Sequence, residues 1–243
     1  MVSQSDLDRI QQFLLDSIGN HDVVIGISGG VDSAVVLGLC SRAFPKGRIH
    51  AFFMPDANTS ADISYVKELS SAFNIEIREL SLQEFIDPFV RTFHISDQRL
   101  LGNIKSRLRM IILYYHANKY NGFVIGTTNR SEYLTGYFTK FGDGACDVEP
   151  ILHLYKHEVR EAARLLGVPA SIIERKPSAG LYPGQTDEDD LGFTYDFLDS
   201  SLSQILTGKH DSSDARIKRI LNLVDETAHK RELPKSLPVN DGS

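Results

Sequence analysis

Residues 26–34, Gly-Ile-Ser-Gly-Gly-Val-Asp-Ser-Ala, decide the fold of this chain. The β-branched run before them, residues 23–25, predicts a buried parallel strand. The apolar run after them, residues 34–39, predicts a helix packed on a sheet. A strand, a tight glycine turn and a helix together aim free backbone N–H groups at an anion. The stretch therefore predicts a phosphate site in an α/β fold.

The side chains of this loop narrow the prediction. Gly29 and Gly30 allow a sharp turn and a close ligand, while Ser28 and Ser33 supply hydroxyl donors. Asp32 would repel a phosphate unless a cation lay between them, so it indicates Mg²⁺. The alternative is a glycine turn that merely opens a helix, but Ser-Gly-Gly-x-Asp-Ser is more particular than a glycine pair. No lysine follows the second glycine, so the loop differs from the Walker pattern of γ-phosphoryl transfer.

Composition places the chain among ordinary globular proteins. Of its 243 residues 42% are hydrophobic and 24% are charged, which favours a single domain over residues 1–243. No apolar run approaches the ~20 residues of a membrane span, and the first residues do not resemble a signal peptide. Cys40 and Cys146 form no Cys-x-x-Cys pair, and the net charge of −6 argues against a nucleic-acid partner. We therefore expect a cytoplasmic protein with neither a membrane nor a nucleic-acid partner.

Alternating strand and helix patterns extend the α/β prediction along the chain. Strands are expected at residues 23–25, 49–54, 75–80 and 123–126, and helices at 5–18, 34–39, 63–73, 103–118, 155–166, 191–205 and 217–224. This order predicts a doubly wound, mostly parallel sheet flanked by helices, with right-handed crossovers and a Rossmann-like arrangement. Residues 81–102 show no clean period and are predicted to form a mobile loop over the site. Residues 176–190 are predicted to form a second flexible lid.

Such sheets bind ligands past the carboxyl ends of their strands. The first strand delivers residues 28–33 to that edge, and the fourth delivers residues 127–132, Thr-Thr-Asn-Arg-Ser-Glu. Glu132 is therefore a candidate second metal carboxylate beside Asp32. A glutamate that only stabilises a helix start is the alternative.

Three further features carry charge without a clear assignment. Arg107 lies at the edge of an apolar helix face, where a surface arginine and a ligand contact fit the spacing equally well. The polar, glycine-punctuated residues 135–150 predict a functional loop, in which the charged candidates are Lys140, Asp143 and Asp147. The acidic run at residues 187–190 is interpreted as a solvated helix start.

Seven segments resemble a known family, in the same order and over nearly the whole chain. They are residues 28–33, 102–110, 126–132, 136–144, 177–181, 183–188 and 229–231. These segments resemble the ammonia-dependent NAD synthetases, which belong to the ATP pyrophosphatases. Their adenine nucleotide alpha hydrolase-like fold implies a doubly wound, mostly parallel, five-stranded sheet flanked by helices.

The resemblance implies a reaction in two steps. ATP adenylates the nicotinate carboxylate of deamido-NAD, and ammonia then displaces AMP to give NAD, the last step of NAD biosynthesis. Mg²⁺ as cofactor, ATP as co-substrate, and a homodimer with the dinucleotide across the subunit interface are implied as well. Glutamine-using relatives carry an added amidase domain. We expect none within 243 residues, so free ammonia is the expected nitrogen donor.

The resemblance also assigns residues. Its ATP contacts fall here on Gly26, Ile27, Ser28, Gly29, Gly30, Val31, Asp32, Ser33, Thr127, Lys156 and Ser178. Its metal ligands fall on Asp32 and Glu132, and its deamido-NAD contacts fall on Arg107, Lys140, Asp147, His229 and Lys230. Catalytic roles are expected for Lys156 and for Asp147, which is expected to orient or deprotonate ammonium.

Two other functions stay open on the residues alone. A related enzyme that acts on tRNA or a purine nucleotide would share the phosphate loop, although a tRNA enzyme would favour a basic chain. A nucleotide-binding module without catalysis would share the loop too, but it would not need Asp32 and Glu132 together.

Overall fold

The computed structural model describes residues 1–57, 59, 62–178, 180 and 184–237. Its centre is a parallel sheet with strand order β3-β2-β1-β4. The strands are β1 (Asp22–Ile27), β2 (Ile49–Phe53), β3 (Ile77–Glu79) and β4 (Gly122–Ile125). Val23 of β1 lies beside Ile49 of β2 on one side and Phe123 of β4 on the other. The parallel sheet agrees with the sequence prediction.

The prediction of a fifth strand was wrong, because the described residues contain four. Beside β4, where a fifth strand would pair, the chain makes an isolated bridge between Val148 and Ile125. The N–H of Val124 donates to the carboxylate of Asp147 at 2.7 Å. A side chain therefore accepts the hydrogen bond that a carbonyl of a fifth strand would otherwise accept. Pro150 follows closely and has no N–H to continue a ladder.

Helices cover both faces of the sheet. They are α1 (Gln4–Ile18), α2 (Val31–Ala43), α3 (Ile63–Phe73), α4 (Gln83–Phe93), α5 (Gln98–Tyr120), α6 (Arg130–Thr135), α7 (Lys156–Leu166), α8 (Ala170–Ile173), α9 (Asp187–Leu191), α10 (Tyr195–Leu206) and α11 (Ala215–Glu226). Alternate residues of β1 point to opposite faces, as a buried strand requires. Val23 and Ile25 join α1, α2 and α7 in one apolar cluster, whereas Val24 joins α4 and α5 in another. The doubly wound arrangement is therefore confirmed.

A third apolar cluster lies outside these two layers. It joins α9, α10 and α11 around Leu198, Leu202 and Ile220, and α10 also packs on α6 and α7. None of the helices in the described ranges is long and apolar enough to cross a membrane.

The predicted loop at residues 81–102 is instead helical, forming α4 and the start of α5. Leu82 and Ile86 are four residues apart and are buried against the sheet, which is the spacing of one helix face. Pro88 inside α4 hid this pattern, because proline is unfavourable in a helix interior. For the predicted lid, residues 179 and 181–183 lie outside the described residues, and Asp187–Leu191 forms α9.

Candidate active site

The phosphate loop joins β1 to α2 with the geometry that the sequence predicts. Gly29 has φ of +79°, a backbone conformation that glycine adopts without the strain of a Cβ atom. Gly30 is the N-cap of α2, and among the described residues no side chain accepts from the first N–H groups of that helix at this cap. The hydroxyls of Ser28 and Ser33 lie 3.2 Å apart beside the turn. The loop therefore presents backbone and hydroxyl donors to an anion.

A buried lysine brings together the two predicted metal ligands. The Nζ atom of Lys156 lies 2.6 Å from Oδ2 of Asp32 and 2.9 Å from Oε1 of Glu132. The lysine side chain is 2% exposed, so both ion pairs lie in a low-dielectric environment. Asn129 also donates to Oδ1 of Asp32 at 2.9 Å. The first and fourth strands thus deliver their carboxylates to one point, as predicted.

Glu132 has a helix-start role and a site role at once. It is the third residue of α6, where it forms a capping box with Asn129. Its Oε2 atom accepts the N–H of Asn129 at 3.3 Å, which leaves Oε1 for Lys156. The two interpretations of Glu132 are therefore compatible, because each uses a different carboxylate oxygen.

Two residues complete this cluster that the sequence did not single out. Tyr195 lies with its ring 5.0 Å from the Lys156 ammonium, and its hydroxyl donates to Asp187 at 3.1 Å. Asp187 is buried, so the interpretation of its acidic run as solvated was wrong at this position. Nothing in four consecutive acids indicates which one turns inward. Only the packing of α9 against α10 selects Asp187.

The cluster holds more carboxyl groups than ammonium groups. Burial raises the pKa of Glu132 to about 8, and the carboxylates of Asp32 and Asp187 add to this against the pull of Lys156. Burial would lower the pKa of Lys156, but the Asp32 and Glu132 carboxylates outweigh it and the pKa lies above its ordinary value. Three carboxyl groups around one ammonium suit a further cation.

The donor set fits Mg²⁺ better than a metal held by protein alone. Among the described residues no group of three or more His, Cys, Asp or Glu is arranged to hold a metal ion. Asp32 and Glu132 supply two carboxylates, and Mg²⁺ commonly takes its remaining ligands from substrate phosphates and water. The phosphate loop lies on the same side, because Asp32 is the second residue of α2.

Four of the five predicted dinucleotide contacts form a second, positively charged group. Arg107 donates to the carbonyl of Lys140 at 3.3 Å, and Nζ of Lys140 donates to the carbonyl of His229. Lys230 donates to the carbonyls of Gly136 and Phe138 at 2.7 and 2.8 Å. The glycine-rich loop at residues 135–150 therefore lies between α5 and the end of α11. We call Arg107, Lys140, His229 and Lys230 the basic cluster.

The remaining predicted residues lie around these two groups. Thr127 follows β4 at the same sheet edge as Glu132. Ser178 is exposed and lies three residues after Arg175, whose guanidinium donates to the carbonyl of Gly29 in the phosphate loop at 3.4 Å. Asp147 accepts from the N–H of Val124 and, at 3.2 Å, from the hydroxyl of Tyr114. Its contacts thus lie on β4 and α5.

A second buried ion pair was missed by the sequence. Asp56, just past β2, lies 2.6 Å from Nζ of Lys105 on α5, and both side chains are almost fully buried. Arg109 lies 3.9 Å away and donates to the carbonyl of Met54. Burial alone would raise the pKa of Asp56, but these two cations hold it below its ordinary value. The pair fastens α5 to the sheet edge that carries the phosphate loop.

Comparison with known proteins identifies the family. The model described as NAD synthase matches residues 5–234 of the chain. The chain belongs to the NAD synthase family. Curated ammonia-dependent NAD(+) synthetases of Thermoplasma volcanium and Picrophilus torridus are 51% and 49% identical to it. These alignments cover 96% of this chain and 97% of the first relative, and 99% and 98% for the second.

Solved structures of the NAD synthase family share the fold. An NMN synthetase from Francisella tularensis has a TM-score of 0.87 and 38% identity, over 99% of both chains. An ammonia-dependent NAD synthetase from Campylobacter jejuni, in complex with a nitrate ion, has a TM-score of 0.83 and 30% identity, over 98% of this chain and 100% of that one. The resemblance found in the sequence is therefore confirmed.

In this NAD synthase chain a half-buried glutamate, Glu149, lies against the end of β4. Glu149 lies close to Thr128 and to the thiol of Cys146. A Cβ atom at Gly126 would lie 2.3 Å from the Glu149 carboxyl carbon, so glycine is needed for this close approach. Glu149 also lines a cleft of about 780 Å³ between α1 and residues 130–158. Burial raises the pKa of Glu149 to about 7, although the neighbouring Thr128 and Cys146 act in the opposite direction.

This raised pKa predicts how stability depends on pH. The folded state holds the Glu149 proton up to about pH 7, whereas the unfolded state releases it near its ordinary value of 4.5. The contribution of Glu149 to the free energy of unfolding therefore falls as the pH rises from about 4.5 to about 7. Glu149→Gln removes this contribution, so its stability relative to the wild type should rise by about 1–3 kcal/mol between pH 5 and pH 8.

Urea unfolding at both pH values measures this change. Glu226→Gln, at an exposed position on α11, is the matched control and should follow the wild type. The same pH dependence in Glu149→Gln as in the wild type would contradict the role of Glu149.

Proposed function

We propose that this chain is an ammonia-dependent NAD synthetase that adenylates the nicotinate carboxylate of deamido-NAD with ATP and Mg²⁺. The observation that carries the proposal is the joining of Asp32 and Glu132 by Lys156 beside an uncapped phosphate loop. A non-catalytic nucleotide module would have no need of this charge cluster. The curated relatives at up to 51% identity support the same activity.

The first step is attack of the substrate carboxylate on the α-phosphorus of ATP. A bond forms from the carboxylate oxygen to phosphorus, and the bond to pyrophosphate breaks. The loop at residues 26–33 holds the leaving pyrophosphate through its backbone N–H groups and the hydroxyls of Ser28 and Ser33. Thr127, Lys156 and Ser178 are further proposed ATP contacts. Holding the pyrophosphate still directs attack to the α-position rather than the γ-position.

The second step needs ammonia in its neutral form. Its lone pair attacks the acyl carbon, AMP leaves with the carboxylate oxygen, and a proton is released. The oxygen of a free carboxylate is a poor leaving group, which is why adenylation must come first. Asp147 is the proposed residue that orients or deprotonates ammonium, and its exposed position beside α5 leaves it accessible.

Mg²⁺ is the proposed cofactor, with Asp32 and Glu132 as its protein ligands. When bound it would neutralise charge on the ATP phosphates near the α-phosphorus. The excess of carboxylates around Lys156 supports this assignment, because a divalent cation relieves their mutual repulsion. The charge of Lys156 keeps both ligands in place before the metal binds.

The basic cluster is the proposed site for deamido-NAD, together with Asp147. A dinucleotide carries a pyrophosphate, and clustered cations are the usual way to bind one. Burial lowers the pKa of Lys230, with Asp143 acting against this. Its ammonium donates to two carbonyls of the loop at residues 135–150, so Lys230 is held against the loop that carries Lys140.

A homodimer through α4 and α5 is the proposed assembly. Phe85, Phe89 and Phe93 recur every four residues along α4 and remain exposed. Ile111 and Tyr115 form a similar exposed stripe on α5, on the face that carries Arg107 one turn earlier. Apolar stripes of this kind mark interaction surfaces. The position of Arg107 next to the stripe supports a dinucleotide bound across the subunit interface.

A smaller substrate, the mononucleotide, is the second candidate. The solved structure with TM-score 0.87 is that of an NMN synthetase, so amidation of the mononucleotide in place of the dinucleotide is the alternative. An enzyme acting on tRNA is less favoured, because the chain has a net charge of −6. A cytoplasmic location and the lack of a nucleic-acid partner stay predictions.

An assay of purified protein with ATP and Mg²⁺ tests the proposal. Deamido-NAD with ammonium should give NAD, AMP and pyrophosphate in equal amounts, and removal of Mg²⁺ by chelation should abolish the reaction. Glutamine in place of ammonium should support almost no turnover. Nicotinate mononucleotide with ammonium is the comparison substrate. ADP and phosphate as products, equal rates with glutamine, or a clear preference for the mononucleotide would each contradict the corresponding part of the proposal.

A charge placed on the α5 stripe tests the dimer. Ile111→Glu puts a carboxylate on a surface that is 56% exposed in the single chain and would be buried between two copies. It should convert the protein to a monomer, measured by sedimentation equilibrium, and reduce NAD synthesis. Leu165→Glu, on the exposed side of α7, is the matched control and should leave the mass unchanged. An unchanged mass for Ile111→Glu would place the interface elsewhere.

A further inference from the structure

A buried carboxylate on α10, outside the metal cluster, is hydrogen-bonded to residues at the start of α6 and of α7. Asp199, on α10, has a side chain that is 1% exposed. It accepts from the hydroxyl of Ser131 at 2.5 Å and from the N–H and Nδ1 of His157 at 3.0 and 2.9 Å. A carboxylate that accepts three hydrogen bonds in the interior is strongly fixed.

Each of these partners is next to a residue of the cluster. Ser131 precedes Glu132 on α6, and His157 follows Lys156 on α7. The hydroxyl of Ser131 also accepts the N–H of Lys156 at 3.0 Å. Asp199 therefore connects the start of α6 to the start of α7 through a continuous set of buried hydrogen bonds. The Glu132 and Lys156 side chains extend from the two ends of this connection.

A second residue of α10 contacts Lys156 at the ammonium end of the lysine side chain. Tyr195 lies one turn before Asp199 on α10, and its ring packs on the Lys156 ammonium. Thus α10 fixes the ammonium of this lysine through Tyr195 and its backbone through Asp199 and Ser131. The C-terminal helices are in this way joined to the metal cluster.

We propose that Asp199 is a positioning residue, which sets the separation of Glu132 and Lys156 through Ser131 and so prepares the site for Mg²⁺ and ATP. The inference rests on the proposed function. The alternative is an ordinary helix cap at α7, which would stabilise the fold without affecting the metal.

Asp199→Asn tests the proposal, because an amide has one acceptor oxygen and places N–H donors against the other donors. Turnover should fall by about 10- to 100-fold, as expected when a catalytic group is displaced by a fraction of an ångström to 1 Å. The Mg²⁺ concentration for half-maximal rate should rise several-fold. The KM for deamido-NAD should change less than about twofold, because within the described part of the chain no hydrogen bond joins the basic cluster to Ser131, His157 or Asp199.

Two further variants separate positioning from folding. Asp196→Asn makes the same charge change at an exposed position on α10 and should match the wild type. Ser131→Ala removes the hydroxyl that joins Asp199 to the N–H of Lys156. It should also raise the Mg²⁺ concentration for half-maximal rate. The double variant Ser131→Ala, Asp199→Asn should be no worse than Asp199→Asn, since both act through one connection.

The rise in melting temperature produced by Mg²⁺ and ATP provides a readout that does not depend on turnover. It should be smaller in Asp199→Asn and in Ser131→Ala than in Asp196→Asn. Variants that lose melting temperature but keep the wild-type Mg²⁺ requirement and ligand-induced shift would overturn the inference and leave a structural cap. A wild type that binds Mg²⁺ and ATP but makes no NAD would instead overturn the proposed function.

Discussion

The site depends on one buried ammonium. Lys156 pairs with Asp32 from the phosphate loop and with Glu132 from α6, and it begins a third segment, α7. These segments are far apart in sequence and meet because parallel strands end at one edge of the sheet. Buried ion pairs contribute little net stability compared with apolar packing, but loss of one partner leaves uncompensated charge. The arrangement is therefore better explained by the need to place charge than by the need to stabilise the fold.

The charge cluster contains more carboxyl groups than ammonium groups. Asp32, Glu132 and Asp187 surround one ammonium, and burial together with mutual repulsion raises the pKa of Glu132. Apolar packing in the three apolar clusters offsets the cost of this burial. A bound divalent cation would remove the imbalance, so binding and stability are expected to be coupled at this site.

Local patterns predicted the parts of this site that depend on local structure. The phosphate loop, Asp32 and Glu132 follow from strand–turn–helix signals and from the rule that strands share an edge. Lys156 was assigned through family resemblance alone, because a lysine at a helix start has no local signature. Asp187 and Asp199 were missed, since only packing of α9 and α10 turns them inward. The fifth strand was expected from the fold of the resembled family, and no local pattern in the sequence indicates that the Asp147 side chain accepts from a backbone N–H of β4.

Removal of the ammonium tests the central claim most directly. Lys156→Met keeps the approximate shape of the side chain but leaves Asp32 and Glu132 buried without their cation. In the absence of Mg²⁺, urea unfolding at pH 8 should show a loss of about 3–5 kcal/mol relative to the wild type. Lys218→Met, at an exposed position on α11, should change stability by less than about 0.5 kcal/mol. A Lys156→Met protein as stable as this control would show that Asp32 and Glu132 do not need the Lys156 ammonium to remain buried together, which would contradict the account.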